Sequence, residues 1–173
     1  MSRCDRMVDV GGRKFMSGAG LAAAGVAVTT ITPLPAKATP GAARVDYPSN
    51  RLANISDLKV NQPLNVSYPD DSAPGVLLKL GKKVAGGVGA DGDVVGFTTV
   101  CPHKGFPLTY NAADNTMNCP GHYSRFDCEA GGQQVWGHAT QNLPQYVLRV
   151  DDKGDIYSEG VDELLYGRLS NVL

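Results

Sequence analysis

Two short segments of this 173-residue chain each place a cysteine and a histidine around a proline, and they restrict the possible folds more than any other feature. The segments are Cys101-Pro102-His103 and Cys119-Pro120-Gly121-His122, with fifteen residues between them. Each follows a run of strand-like composition, which places both segments in loops. Two such loops facing each other would offer two thiolates and two imidazoles to a metal centre.

This donor set matches a 2Fe–2S cluster in which one iron binds two cysteines and the other binds two histidines. If each loop gives its cysteine to one iron and its histidine to the other, the loops hold the cluster from two sides. Neutral imidazoles in place of thiolates remove negative charge and raise the reduction potential above that of an all-cysteine ferredoxin. The pattern therefore predicts a one-electron carrier with four metal ligands: Cys101, His103, Cys119 and His122.

A structural zinc site is the alternative that the same ligand types allow. Zinc sites with two cysteines and two histidines usually take the cysteines from one knuckle and the histidines from another. Mixed Cys-x-His and Cys-x-x-His loops are uncommon in such sites, so the spacing favours iron.

The rest of the chain has the pattern of a small all-β domain. Its 21 glycines and 11 prolines favour short strands and turns over long helices. Runs of strand-like composition predict strands at 64–68, 75–80 (buried on both sides) and 94–100, and hairpins at 108–118 and 146–158. Residues 85–93 are predicted to form a loop, and only 161–168 suggests a helical turn.

The first 38 residues have the order of an export signal. Arg13-Lys14-Phe15 precedes an apolar stretch of small residues at 18–28, and Ala36-Lys37-Ala38 is a cleavage site of the A-x-A type. The apolar stretch is shorter than the ~20 residues that a spanning helix needs, although an uncleaved anchor is the alternative. Gly12-Arg13-Lys14-Phe15-Met16 resembles a twin-arginine signal that lacks the first arginine, and that route carries proteins already folded around a cofactor. Residues 39–50 are expected to form a tether, and 51–173 the mature domain.

The charge distribution argues against nucleic acid as a partner. Residues 1–38 hold five of the sixteen lysines and arginines and two of the seventeen acidic residues, so residues 39–173 have a net charge of −4. Binding to a phosphate backbone requires a clustered positive face.

Several other residues have simpler interpretations than a place in the metal site. His138 is expected on the surface or in loop packing, because four ligands already complete the cluster. Cys128 is expected to be a lone buried thiol, since Cys4 lies in the leader. Trp136 is expected in the core or at an interface, and Lys82-Lys83 in a solvated turn.

The cluster motifs resemble those of the Rieske superfamily. Cys101-Pro102-His103-Lys104-Gly105 and Cys119-Pro120-Gly121-His122 are similar to its two cluster-binding loops, and Leu143-Pro144 is similar to its third, proline-containing loop. The wider pattern, from Val45 to the tail ending in Asn171-Val172, resembles the small subunits of arsenite oxidases over nearly the whole mature chain. The resemblance implies an antiparallel β-sandwich or barrel with a cluster-binding subdomain, and Pro144 beside the cluster.

The departures from the family pattern concern four positions around the cluster. Phe106 and Gly121 stand where many Rieske proteins have two cysteines joined as a disulfide between the loops. Ser124 matches a serine that donates a hydrogen bond to a cluster sulfur, whereas Phe126 replaces a tyrosine that donates to a ligand cysteine. Each missing donor leaves more negative charge on the cluster and lowers its potential. We therefore expect an intermediate potential, below that of respiratory Rieske proteins.

The same resemblance implies the partners. They are a molybdopterin large subunit in a periplasmic heterodimer, and a c-type cytochrome or a cupredoxin as electron acceptor, with no stable membrane span in the mature form. Two rival assignments are the Rieske subunit of a cytochrome bc complex and the Rieske ferredoxin of an oxygenase. The first normally has a firm anchor and the disulfide, and the second should lack an export signal.

The leader makes the first testable prediction. The mature chain should begin near Thr39, after Ala36-Lys37-Ala38, because that sequence has the small residues that a signal peptidase requires. N-terminal sequencing of the native protein checks this. Recovery of Met1 in the membrane fraction would contradict it and support an anchored protein.

Overall fold

The computed structural model describes residues 46–172. The predicted export signal, most of the predicted tether and Cys4 lie outside this range. Within it, ten strands, all paired in antiparallel fashion, form three sheets, with a short 3-10 turn at Ile55–Asp57. The strands are β1 (Asn50–Asn54), β2 (Leu64–Ser67), β3 (Pro74–Lys79), β4 (Val94–Thr98), β5 (Thr109–Asn111), β6 (Thr116–Asn118), β7 (Arg125–Asp127), β8 (Gln133–Trp136), β9 (Tyr146–Val150) and β10 (Asp155–Val161).

Two three-stranded sheets form the base of the domain. Their strand orders are β1-β10-β9 and β2-β3-β4. A hydrophobic core joins them, with Leu77 and Val94 from the second sheet packed with Tyr146, Leu148 and Ile156 from the first. Burial of these side chains against each other is what holds the two sheets together.

The cluster-binding subdomain is the four-stranded sheet β5-β6-β7-β8, inserted in the sequence between β4 and β9. Its own core contains Met117, Phe126 and Leu143 together with Val76 and Phe97 of the base. Because neighbouring side chains of a strand point to opposite faces, β3 sends Val76 into this core and Leu77 into the core of the base. The predicted two-sided burial of this strand is confirmed.

The all-β class is confirmed, and most predicted strands and both hairpins are present within one to three residues of the expected bounds. Three strands were not predicted, β1, β7 and β8, because each is short and largely half-exposed, without clear apolar alternation. β1 also begins at Asn50, the last residue of the predicted tether.

The helical turn predicted at 161–168 is wrong. In the described residues this segment forms bends and one turn, in which the amide of Arg168 donates to the carbonyl of Leu165 (3.2 Å). Other backbone groups of the segment bond to side chains. The amide of Leu165 donates to Asn171 Oδ1 (2.8 Å), and the carbonyl of Glu163 accepts from Asn171 Nδ2 (2.8 Å). Gly167 has a φ of 80°, which ends any helical continuation.

Two further expectations concern single side chains. Cys128 is buried as a free thiol, as predicted, and desolvation raises its pKa to about 12. Trp136 is 67% exposed, so a place in the core is wrong, and a place at an interface stays a prediction. Between residues 46 and 172, the structure has no helix long and apolar enough to span a membrane.

The tyrosines of the base generate a prediction about stability. The hydroxyl of Tyr146 is buried without a hydrogen-bond partner among residues 46–172, whereas the Tyr68 hydroxyl donates to the Pro48 carbonyl (2.9 Å). An unpaired buried hydroxyl costs free energy, and a paired one contributes about 1 kcal/mol. Tyr146→Phe should therefore raise the free energy of unfolding by about 1 kcal/mol, and Tyr68→Phe should lower it by about 1 kcal/mol.

Thermal unfolding of the cluster-loaded protein compares the two variants, each serving as the control for the other. Equal destabilisation by both substitutions would mean that the Tyr146 hydroxyl has a partner in solution.

Candidate metal centre

The first cluster loop follows β4 and is closed by two backbone hydrogen bonds. The amide of Cys101 donates to the carbonyl of Phe106 (2.8 Å), and the amide of Gly105 donates to the carbonyl of Cys101 (2.8 Å). Gly105 has a φ of 72°, in the left-handed region that favours glycine. The closure turns the chain back on itself, with Cys101 and His103 on the turn.

The second loop follows β6 and repeats this pattern. The amide of Cys119 donates to the carbonyl of Ser124 (2.8 Å), and the amide of Tyr123 donates to the carbonyl of Cys119 (3.1 Å). Tyr123 has a φ of 59°, so a tyrosine takes the left-handed position that Gly105 takes in the first loop. Tyr123 is 74% exposed.

The two loops bring the cysteines together. Cys101 and Cys119 are both buried, and their side chains are within hydrogen-bonding distance of each other. Burial raises the pKa of Cys101, while the backbone N–H groups of His103 and Lys104 donate to its sulfur and oppose that rise. Such donors stabilise negative charge on a ligand sulfur, and no pattern in the sequence indicates them.

The histidines form the second pair. The ring centroids of His103 and His122 are 4.8 Å apart, at an interplanar angle of 73°. Desolvation, followed by the neighbouring His122, lowers the pKa of His103 and favours its neutral form, which is the form that binds metals. His103 Nδ1 is buried and has no hydrogen-bond partner in the described part of the chain.

These donors fit a 2Fe–2S cluster with one iron on the cysteines and one on the histidines. A buried imidazole nitrogen without a partner is costly, and a metal ion would satisfy it. Two adjacent buried thiols lose their protons when a metal binds them. Cys101 and Cys119 would hold one iron, and His103 and His122 the other.

Phe106 and Gly121 lie against each other, as expected for positions that a disulfide joins in other proteins. A Cβ added at Gly121 would lie 2.8 Å from Cγ of Phe106, so the ring rests directly on the second loop. The same ring meets His122 edge-on, with centroids 5.6 Å apart. An aromatic contact joins the two loops here.

Ser124 is fully buried, and its hydroxyl is oriented by the third loop. The amide of Ala139 donates to Ser124 Oγ (2.9 Å), so the hydroxyl hydrogen is free to donate elsewhere. Gly137, with a φ of 93°, allows this approach, because a Cβ there would lie 2.6 Å from the Ser124 amide nitrogen. Pro144 is buried in the third loop, and its carbonyl accepts from the amide of Thr98 (3.1 Å).

Phe126 lies on β7 in the same core as Cys101 and Cys119, the two proposed ligands. Its side chain is fully buried and lies opposite Met117 of β6. The position is compatible with a side chain close to the cluster sulfurs.

His138 is on the surface in the third loop, as predicted, but its closeness to the ligands was missed. Its ring centroid is 6.1 Å from that of His103 and 6.3 Å from that of His122. Trp136 and Tyr123 line a groove with His122 and His138 beside it. Only the folding of the third loop onto the second creates this arrangement, and no spacing in the sequence indicates it.

Comparison with known proteins identifies the class. Residues 50–147 match the Rieske [2Fe-2S] domain family. The chain belongs to this family, and it carries one Rieske-type 2Fe–2S cluster. The fold agrees: the soluble domain of the Rieske protein II (soxF) from Sulfolobus acidocaldarius superposes with a TM-score of 0.60 at 26% identity, covering 66% of this chain and 78% of that one.

The relatives narrow the role within the family. The iodate reductase subunit IdrB of Denitromonas iodatirespirans is 41% identical over 93% of this chain and 89% of its own length. The corresponding subunit of Pseudomonas sp. (strain SCT) is 42% identical over 82% of this chain and 76% of its own. The chain is thus a Rieske electron-transfer subunit whose relatives are subunits of an oxidoreductase.

The buried hydroxyl of Ser124 and the ring of Phe126 generate a matched pair of predictions. Reduction adds negative charge to the sulfurs, so a donor to a sulfur stabilises the reduced state. A net preference of about 1 kcal/mol for one hydrogen bond corresponds to about 40 mV, from 59 mV per tenfold change. Ser124→Ala should lower the potential by tens of millivolts, and Phe126→Tyr should raise it by a similar amount.

Protein-film voltammetry of the two variants measures both shifts against the unchanged protein. If the hydroxyl introduced by Phe126→Tyr is ordered and the potential does not change, Phe126 does not occupy the donor position.

Proposed function

We propose that this chain is the small subunit of a periplasmic molybdopterin oxidoreductase of the arsenite oxidase type. It passes electrons between the large subunit and a soluble c-type cytochrome or cupredoxin. The observation that carries the proposal is the paired donor set. Its two cysteines are buried in the domain, and its His122 is exposed at the surface, where a partner protein can approach it. When bound there, the cluster supplies one-electron transfer and no bond chemistry on a substrate.

The chain's own residues position the cluster and tune it. Cys101, His103, Cys119 and His122 hold the irons, and Ser124 orients a hydroxyl towards the sulfurs. The large subunit would carry the arsenite site and its own iron–sulfur cluster. Oxidation of arsenite releases two electrons, and this chain would pass them on singly.

Arsenite as the substrate is supported by the resemblance of nearly the whole mature chain to small subunits of arsenite oxidases. Iodate reduction is the second candidate function, and the identity of 41% to an iodate reductase subunit over 93% of the chain supports it. In that case electrons would flow through the same site in the opposite direction. The export signal at 1–38, the tether at 39–50 and the domain at 51–173 complete the proposal, with the twin-arginine route for export.

The rival assignments are less well supported. A cytochrome bc subunit usually has cysteines at the positions of Phe106 and Gly121. A cytosolic ferredoxin would not need the basic and apolar leader at 13–38.

The test of this function uses the native complex. It should contain molybdenum and reduce a c-type cytochrome with arsenite. Cys119→Ser should abolish electron transfer to the cytochrome, because it removes an iron ligand of the relay. It should leave intact the reduction by arsenite of an artificial dye that accepts electrons from the large subunit.

Cys128→Ala is the matched control, since this buried thiol lies outside the ligand set, and it should retain both activities. A complex that oxidises no arsenite but reduces iodate with a reduced dye would establish the second candidate. A complex without molybdenum would contradict the proposal.

A further inference from the structure

The segment after β10, residues 162–171, forms what we call the C-terminal strap. It has no regular secondary structure, but side chains fix its course. Arg168 donates from both terminal nitrogens to the Asp70 carboxylate (2.6 and 2.8 Å) and also to Ser72 Oγ (2.7 Å). Asn171 accepts from the amide of Leu165 and donates to the Tyr47 hydroxyl (2.8 Å). The strap is therefore tied to the base of the domain at several points.

The strap also reaches the third cluster loop. Asp162 Oδ1 accepts from the amide of Gln145 (2.7 Å), directly after Pro144. The carbonyl of Leu164 accepts from Gln141 Nε2 (3.2 Å). These bonds hold the strap against the third loop.

Tyr166 brings the strap onto the first cluster loop. A Cβ added at Gly105 would overlap Cε1 of Tyr166 and lie 2.8 Å from its Cδ1. The ring thus occupies the space that a side chain at Gly105 would need. Gly105 is the residue whose amide closes the loop onto the carbonyl of Cys101.

Core packing does not explain this contact. Leu165 is the strap residue that enters the hydrophobic core of the base, whereas Tyr166 is 45% exposed. The equivalent left-handed position in the second loop, Tyr123, is 74% exposed. The ring of Tyr166 therefore lies on the backbone of the first loop at its left-handed turn while almost half of the residue stays in solvent.

We propose that Tyr166 is a positioning residue for the metal centre. Its ring holds the first loop closed over Cys101 and His103 and keeps water from that side. The inference rests on the ligand role of these two residues and is independent of the large subunit and of the substrate.

The expected effect on the potential has a definite sign. Reduction adds one negative charge at the site, and water stabilises that charge, so greater solvent exposure raises the potential. Loss of the ring should also let the loop open more often, because local opening follows the loss of buried contacts.

The experiment measures both consequences in the full chain with its cluster. For Tyr166→Ala, we expect the ratio of reduced to oxidised protein at a fixed potential to rise about threefold. This corresponds to a rise of about 28 mV in the reduction potential, at 59 mV per tenfold change. Hydrogen exchange of the peptide covering residues 101–106 should quicken about tenfold. Electron paramagnetic resonance of the same sample reports whether the ligand set is intact.

Three further variants make the result specific. Tyr166→Phe keeps the ring, so its potential and its exchange rate should equal those of the unchanged protein. Leu169→Ala changes a fully exposed side chain of the same strap (relative exposure 103%), and it should leave both unchanged. Tyr166→Leu keeps apolar bulk on the strap if the alanine variant fails to fold, and it should shift the potential in the same direction.

An unchanged potential and unchanged exchange in Tyr166→Ala, or in Tyr166→Leu where that variant is used, would overturn the proposal. Equal shifts in Leu169→Ala would do so as well, because they would show a general effect of the tail. The test uses this chain alone, so its result does not depend on whether the native complex oxidises arsenite or reduces iodate.

Discussion

The structure depends on the backbone closure that shapes the two cluster loops. In each loop the cysteine amide donates to a carbonyl five residues later, and the cysteine carbonyl accepts from an amide four residues later. This closure places a cysteine and a histidine on each of two equivalent turns. With the turns face to face, the thiols pair in a buried position and the imidazoles pair beside them. Metal binding would then satisfy the buried His103 nitrogen, and the paired thiols would bind the metal as thiolates.

The remaining elements keep these loops in place. β3 and β4 bury side chains on both faces and so join the base to the cluster-binding subdomain. Phe106 rests on Gly121 between the loops, and Gly137 lets the third loop approach Ser124. The C-terminal strap meets the first loop at Gly105 and the third loop at Gln141 and Gln145. At Gly105, Gly121 and Gly137, a Cβ would collide with the packed neighbour, so these contacts require glycine.

Local patterns explain which parts of this arrangement the sequence could predict. The proposed ligands lie close together in the sequence within each loop, so their spacing alone suggests them. Gly75–Leu80 is a continuous apolar run, so its burial on both sides was predictable. The opposition of Phe106 and Gly121 followed from the family resemblance. By contrast, β7 and β8 have a weak alternation signal, and the strap has backbone groups bonded to Asn171, which no local pattern reveals. The closeness of His138 to the ligands also arises only when three separate loops meet.

The most direct test of the central claim is pulsed electron paramagnetic resonance of the reduced protein. The proposed ligands predict a signal with an average g below the free-electron value. They also predict hyperfine coupling to two histidine nitrogens, one of which is lost in His103→Cys or His122→Cys. A protein that contains stoichiometric zinc and gives no such signal would contradict this account. So would a reduced cluster without nitrogen coupling.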